Sequence, residues 1–150
     1  GVGAVSGAER LRLEPRRRAI FQSPTKAPLE HIPFTAGIDD GFYFKREGNS
    51  VLCSPQDATP QQPGDPKPDE LEIARAIERV NAVTTLALRS VSTAWAGLRT
   101  FTPAGNPVAK WDEKVDDYFH FLGQAGYGIQ MAPALSAHAA KLVREQPCPD

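Results

Sequence analysis

Cysteine and histidine are both scarce in this chain. Its 150 residues include two cysteines and three histidines. Cys53 and Cys148 lie far apart and show no C-x-x-C spacing, which is typical of a reduced, cytoplasmic protein rather than of a disulfide scaffold. The histidines form no H-x-H or H-x-x-x-H pair, so we expect no metal site.

Long apolar runs and an excess of charge of one sign are also missing. No stretch reaches the roughly 18–20 apolar residues that cross a bilayer, so we expect no membrane span. The 17 basic and 18 acidic residues give a net charge of −1, which gives no reason to expect nucleic acid as a partner. The run Arg16-Arg17-Arg18 has no interleaved aromatic residues, and we interpret it as a solvated strand edge.

Proline, in contrast, is abundant and divides the first half of the chain. The 14 prolines favour extended connections over residues 22–40 and 55–68. The segments around these connections predict a strand followed by a hairpin, with the turn at Glu47-Gly48-Asn49. The three predicted strands cover residues 16–21, 41–46 and 50–54.

Two segments have the periodicity of an amphipathic helix. Asp69 is placed to cap a helix over about residues 69–83, and Glu72 completes a capping-box pattern. A second helix is predicted over about residues 129–144. The apolar faces consist of Leu71, Ile73, Ile77 and Val80 in the first helix, and of Met131, Leu135, Ala139 and Leu142 in the second. Because each helix has one apolar side, each should lie on a sheet.

The chain between these helices predicts two further strands. Residues 86–102 are rich in β-forming residues and predict one long strand, followed by a loop over residues 102–116. Residues 118–122 are apolar apart from His120, as expected for a short strand buried inside a sheet.

The most informative segment runs from Asp117 to Leu135, where an aromatic strand leads through three glycines directly into the second helix. Such a junction directs backbone N–H groups and the positive end of a helix dipole at a neighbouring anion. The glycines are spaced G-x-x-G-x-G, the reverse of the dinucleotide fingerprint, so a pyrophosphate is a poor candidate for the guest. The alternative is a tight turn that needs glycine only for its backbone conformation.

This segment resembles the C-terminal signature of the FAD-dependent D-amino-acid oxidase, D-amino-acid dehydrogenase and glycine oxidase superfamily. The stretch from Trp95 to Val108, which begins Trp-Ala-Gly-Leu-Arg, is similar to the other late motif of that superfamily. The two motifs occur in the expected order and at the expected separation. Three positions depart from the pattern: Ala104 replaces an acidic turn residue, Lys110 replaces a small glycine, and Ala125 replaces a glycine.

The resemblance implies an α+β fold made of two portions. Residues 1–102 would be the substrate-binding portion, an antiparallel sheet with one packed helix. Residues 103–150 would return to the FAD-binding domain as a C-terminal strand and helix. The chain would then be the C-terminal part of a larger flavoprotein whose N-terminal FAD-binding half is its missing partner.

The resemblance also assigns site residues. The cofactor-binding backbone would be that of Gly126, Tyr127, Gly128, Ile129 and Gln130, at the pyrimidine edge of the flavin ring. The substrate-binding side chains would be Arg99, which clamps an α-carboxylate, together with Tyr43 and Tyr127. The simpler alternatives are a solvated or ion-paired arginine and tyrosines that only pack.

The implied reaction is hydride transfer from the Cα–H of an amino acid to the flavin, which leaves an imine for hydrolysis. This chemistry depends on orientation, so no catalytic acid–base residue is expected. Residues 1–150 alone would not retain FAD, and the exposed docking surface would favour self-association. The alternative is a non-catalytic remnant or interaction module that keeps the fold without the cofactor.

Overall fold

Antiparallel strands and two helices account for most of the regular structure in the computed structural model, which describes residues 8–39 and 41–145. The described residues divide into two units, one formed by residues 16–98 and the other by residues 8–15 and 99–145. Each unit combines strands with a helix, so the predicted α+β class is confirmed. The assignment of residues 1–102 to substrate binding and 103–150 to FAD binding stays a prediction. Neither described helix is long and apolar enough to cross a membrane.

The first unit is built on a six-stranded sheet. Its strands follow the order β2-β3-β4-β1-β5, and β6 also pairs with β1. They are β1 (Glu14–Pro24), β2 (Thr35–Ala36), β3 (Tyr43–Glu47), β4 (Ser50–Ser54), β5 (Thr59–Pro60) and β6 (Thr93–Phe101). The predicted hairpin is confirmed: β3 and β4 pair with Phe44 opposite Cys53, and Gly48 turns the chain with a φ of +59°.

Helix α1 (Glu70–Val83) packs on this sheet. Asp69 caps it by accepting hydrogen bonds from the N–H groups of Leu71 at 3.0 Å and Glu72 at 3.3 Å. The Glu72 carboxylate accepts from Arg75 at 2.8 Å, so it takes part in a side-chain ion pair. The predicted burial of Leu71 is wrong, because its side chain is 58% exposed. The buried face consists of Ile73, Ala76 and Val80.

The predicted long strand over residues 86–102 is also wrong in its first part, because β6 begins only at Thr93. Leu86 and Leu88 do alternate as in a strand, since both are buried in the core. However, the backbone of this segment is fixed by hydrogen bonds from a side chain. The amide of Asn81 both accepts from the N–H and donates to the carbonyl of Leu88, each at 2.8 Å. Ala87 adopts a left-handed φ of +51°, which a strand does not allow.

The interpretation of the arginine run as a solvated edge is wrong for Arg17. Its guanidinium is 14% exposed and donates from Nε to Asp57 at 2.9 Å and from Nη2 to Asp69 at 3.4 Å. The hydrogen bond with Asp57 raises the pKa of Arg17. Arg18 donates to the carbonyl of Asp57 at 2.8 Å, and Ala19 N–H donates to the Asp57 carboxylate at 2.7 Å. Asp57 therefore anchors β1 to the connection after β4.

The second unit contains a hairpin and the last helix, α2 (Gly128–Glu145). The hairpin strands are β7 (Val108–Trp111) and β8 (Phe119–Leu122), so the predicted loop over residues 102–116 includes a strand. The prediction that β8 lies inside a sheet is wrong, because its sheet has two strands and Phe121 is 45% exposed. The predicted stripe on α2 agrees with the structure: its four residues are half-buried, and Trp111 donates to the carbonyl of Leu142 at 3.4 Å.

Candidate functional site

The arginine and the glycine loop singled out from the sequence lie against each other in the second unit. Arg99 is in the last part of β6, and its guanidinium rests on the backbone of Gly126. A Cβ atom at residue 126 would come within 3.3 Å of the Arg99 Cζ and would overlap its Nη1. Residue 126 must therefore be glycine if the guanidinium is to occupy this position.

The loop before α2 is fixed by its contacts with the end of β6. The N–H of Ala125 donates to the carbonyl of Thr100 at 3.1 Å, next to Arg99 in the chain. Gly123 has a φ of +73°, and a Cβ atom there would lie 2.6 Å from the Thr102 methyl group. Ala125 has a φ of +50°, a conformation that costs an alanine roughly 1–2 kcal/mol. Glycine at this position would avoid that cost, which gives a physical reason for the glycine that the family pattern has here.

The predicted cofactor-binding backbone forms the start of α2. The helix begins at Gly128, and the N–H of Met131 donates to the carbonyl of Tyr127 at 3.0 Å. Helix geometry leaves the N–H groups of Gly128, Ile129 and Gln130 without partners inside the helix. No acidic residue lies in this first turn to occupy those donors. The helix start can therefore stabilise an electron-rich guest.

The side chains around this helix start are open to the surroundings. Ile129 is 95% exposed and Tyr127 is 53% exposed. Both are large side chains, and both lie at the start of α2. The structure thus places Arg99 and Gly126 in contact just before the start of α2, and the binding roles of these residues stay predictions.

Tyr43 belongs to the other unit, where it begins β3. Its ring is half-buried and lies 5.5 Å from the ring of Phe34, tilted by 31°. This contact agrees with the simpler interpretation of a packed aromatic side chain, and the proposed substrate contact of Tyr43 stays a prediction.

Sequence reasoning missed one neighbour of Arg99. The Arg99 Cζ lies 5.5 Å from the centre of the Phe101 ring, which is two residues further along the same strand. A cation over an aromatic face is attracted by the negative face of the ring, so Phe101 helps to orient the guanidinium. Their spacing of two is the sequence signal, since residues i and i+2 share one face of a strand.

Sequence reasoning also missed a buried acid. Asp112, which follows β7, accepts hydrogen bonds on Oδ2 from His120 at 2.6 Å and from Arg10 at 2.5 Å. Its Oδ1 accepts from the N–H groups of Lys114 and Val115 at 2.8 and 2.9 Å. The Asp112 and His120 side chains are only 5% and 2% exposed. The bond from His120, aided by that from Lys114, lowers the pKa of Asp112 well below its usual range.

The Asp112 network fastens the hairpin whose second strand leads into the glycine loop. One sequence signal for it exists, because a histidine inside an apolar strand normally needs a polar partner. The partner itself could not be identified from the sequence. Arg10 and Asp112 are 102 residues apart, and the predicted loop over residues 102–116 did not include the strand β7 that brings Asp112 opposite β8.

Comparison with known proteins agrees with the motif resemblance. The sequence pattern of the FAD-dependent oxidoreductase family matches residues 2–142. A relative from Bos taurus, FAD-dependent oxidoreductase domain-containing protein 1, is 32% identical over 160 residues, which cover 95% of this chain and 31% of the relative. The Xenopus laevis protein of the same name is 26% identical over 163 residues, covering 95% of this chain and 30% of the relative.

Solved structures share the fold at low sequence identity. Glycine oxidase from Geobacillus kaustophilus has a TM-score of 0.72 and 20% identity, over 92% of this chain and 37% of that one. Fructosamine oxidase (Amadoriase II) from Aspergillus fumigatus has a TM-score of 0.73 and 14% identity, over 90% of this chain and 37% of that one. The present chain therefore spans about a third of the length of these proteins.

Proposed function

Because the chain belongs to the FAD-dependent oxidoreductase family, we propose that it forms the substrate-binding and flavin-capping part of an enzyme that oxidises amino acids, either D-amino acids or glycine- and sarcosine-like compounds. The single observation that carries this proposal is the contact between Arg99 and Gly126. In this contact the Arg99 guanidinium, which can bind a substrate carboxylate, lies next to the glycine loop, which can bind the edge of a flavin ring.

The residues present fit the cofactor. Gly126 exposes backbone where any side chain would collide with Arg99, and the first turn of α2 offers N–H donors with no acidic residue among them. When bound, FAD supplies the hydride acceptor. The backbone of Gly126, Tyr127, Gly128, Ile129 and Gln130 would hold the ring edge on which negative charge develops, and the helix dipole would stabilise that charge.

Arg99 would bind the substrate by its carboxylate. A guanidinium makes two parallel hydrogen bonds to a carboxylate, which fixes the direction of the substrate as well as its position. Phe101 limits the rotation of the guanidinium plane, and the Ala125–Thr100 hydrogen bond keeps the loop in register with Arg99. Loss of a hydride from Cα to the bound cofactor and of a proton from the amine would leave an imino acid, which water would convert to a 2-oxo acid and ammonia, or methylamine where the substrate is N-methylated. Orientation is the main contribution of the protein to such a step.

One structural neighbour is a glycine oxidase, which supports an amino-acid substrate, and another is a fructosamine oxidase, which supports a related substituted amine. We keep the narrower choice of amino acid open between the two classes named above. Tyr43 and Tyr127 would add contacts to the substrate, and the exposed Tyr127 and Ile129 would be covered by the FAD-binding half.

The test compares Arg99→Ala with Arg99→Lys in the complete protein that contains this chain. Loss of a charge-assisted bidentate contact should reduce transition-state stabilisation by about 2–5 kcal/mol, measured as kcat/KM. Lysine should recover only part of this loss because it lacks the planar fork. Arg75→Ala, on the exposed side of α1, is the matched control and should leave kcat/KM unchanged.

The flavin content of the same samples separates the alternatives. A carboxylate clamp predicts that both Arg99 variants retain FAD, whereas a structural arginine predicts flavin loss. We expect residues 1–150 alone to retain no FAD, because the adenine and pyrophosphate contacts would come from the other half. A complete protein that binds no FAD would favour the non-catalytic alternative, and unchanged kinetics of Arg99→Ala would remove Arg99 from the site.

A further inference from the structure

A cavity in the first unit lies outside the site described above. It has a volume of about 530 Å³, is open to solvent, and is formed by two segments, residues 24–27 at the end of β1 and residues 86–89 after α1. This volume falls within the range of sites for small molecules. Two of the seven described lining residues are cationic, Lys26 and Arg89, and none of the seven is acidic.

The walls of this cavity are held in place by side-chain hydrogen bonds. The Thr25 hydroxyl donates to the carbonyl of Leu86 at 2.5 Å and accepts from the N–H of Ala27 at 3.1 Å, so it joins the two segments. Asn81 fixes both backbone groups of Leu88, and Ser23 donates to the carbonyl of Ser90 at 2.7 Å. The cavity is therefore preformed, which reduces the entropy that a ligand must lose on binding.

The backbone at the cavity is strained. Ala87 lines it with a left-handed φ of +51°, in a segment that forms no strand although its composition favours one. Residues in such conformations persist only where the surroundings force them, and they concentrate at ligand-binding and active sites. The strained residue and the two cationic side chains thus line the same cavity.

We propose that this cavity, the Lys26–Arg89 cavity, binds a small amphipathic anion: a carboxylate on a short apolar body. The two cations would bind the carboxylate, and Pro24, Ala27, Leu86 and Ala87 would contact the apolar part. Multiply charged ligands without an apolar part fit less well, because most of the lining is apolar. The site is independent of the function proposed for Arg99, which lies in the other unit.

Isothermal titration of the 150-residue chain with octanoate tests this proposal, with octanol and sulfate as comparison ligands. Octanol has the tail without the charge, and sulfate has charge without the tail. We expect each to bind at least about tenfold more weakly than octanoate, because the charge-assisted hydrogen bonds and the apolar contacts are both required. Equal affinity for octanol and octanoate would overturn the proposal.

Variants locate the site. The double substitution Lys26→Met and Arg89→Met should weaken octanoate binding about tenfold or more while keeping the length of the side chains. Ala27→Leu should also weaken it, by filling the cavity without a change of charge. Lys67→Met, at a lysine 82% exposed in the proline-rich connection, is the control and should bind normally.

The charge-keeping pair Lys26→Arg and Arg89→Lys should retain binding, which separates charge loss from misfolding. Unchanged binding in the double methionine variant, or loss of binding in Arg99→Ala, would refute the assignment.

Discussion

The guanidinium of Arg99 occupies the space that a side chain at Gly126 would need. The same is not true of Gly128, two residues later, where a Cβ atom would lie 3.4 Å from the Gln124 Cβ in an ordinary contact. These two glycines of one loop therefore have different roles. The first makes room for the Arg99 guanidinium, and the second begins a helix.

Alanine substitution should separate these roles. Gly126→Ala must displace the end of the flexible Arg99 side chain, and because residue 126 is exposed we expect it to lower the free energy of unfolding by only about 1 kcal/mol. Gly128→Ala should change it by no more than about 0.5 kcal/mol, since alanine is a good helix former. Urea denaturation of both variants measures the difference. Equal stability of the two would mean that Arg99 can leave its place without cost.

Ala125→Gly should stabilise the chain. Ala125 has a φ of +50°, so glycine would relieve a strained conformation and raise the free energy of unfolding by about 0.5–1 kcal/mol. The same substitution at Ala137, exposed in the middle of α2, should lower it by about 1 kcal/mol. If alanine-to-glycine substitution raises the free energy of unfolding at one position and lowers it at the other, the difference must come from the backbone conformation at the two positions. A loss of stability at both positions would contradict the assigned left-handed turn.

The Asp112 carboxylate should make stability depend on pH in acid. Its pKa is lowered in the folded chain, so its contribution is complete above the ordinary aspartate value of about 3.9 and is lost as the pH falls towards the folded value. Asp112→Asn lacks this contribution. The stability difference between wild type and variant should therefore be constant near neutral pH and shrink below about pH 4.

Urea midpoints between pH 6 and pH 3 measure this effect. Asp65→Asn, at a carboxylate 84% exposed in an ion pair with Lys67, serves as the control and should follow the wild-type curve. A difference between wild type and Asp112→Asn that stays constant down to pH 3 would show that the His120 bond does not favour the ionised acid.

The ion pair between Arg17 and Asp57 should be costly to break from one side. Asp57→Ala leaves a guanidinium and the Ala19 N–H without their carboxylate, and we expect a loss of about 3–5 kcal/mol in the free energy of unfolding. Asp65→Ala, at the exposed ion pair, should cost no more than about 1 kcal/mol. Thermal unfolding of both variants measures the two losses in the free energy of unfolding, which can then be compared. A small loss for Asp57→Ala would restore the interpretation of residues 16–18 as a solvated edge.

Local patterns predicted much of the fold. The Asp69 cap, the hairpin turn at Gly48 and the stripe on α2 depend on neighbours within a few residues, so the sequence contains what determines them. The Arg99 site was predicted because its motifs resemble a family, whereas its contact with Gly126 depends on how the chain folds back. The segment around Leu88 was predicted to be a strand because it is rich in β-forming residues. The hydrogen bonds from Asn81, seven residues earlier, and the left-handed φ of Ala87 show that the backbone does not form a strand here.

Cys53 lies in β4 with no exposed surface, and burial raises the pKa of its thiol to about 12. The thiolate that reacts with alkylating reagents is therefore scarce in the folded chain, and the sulfur is out of their reach. Labelling of Cys53 must then wait for the sheet around it to open. When Cys148 is changed to serine, the rate of alkylation at Cys53 measures the rate at which residues 16–98 open. Mass spectrometry follows this reaction without any added probe.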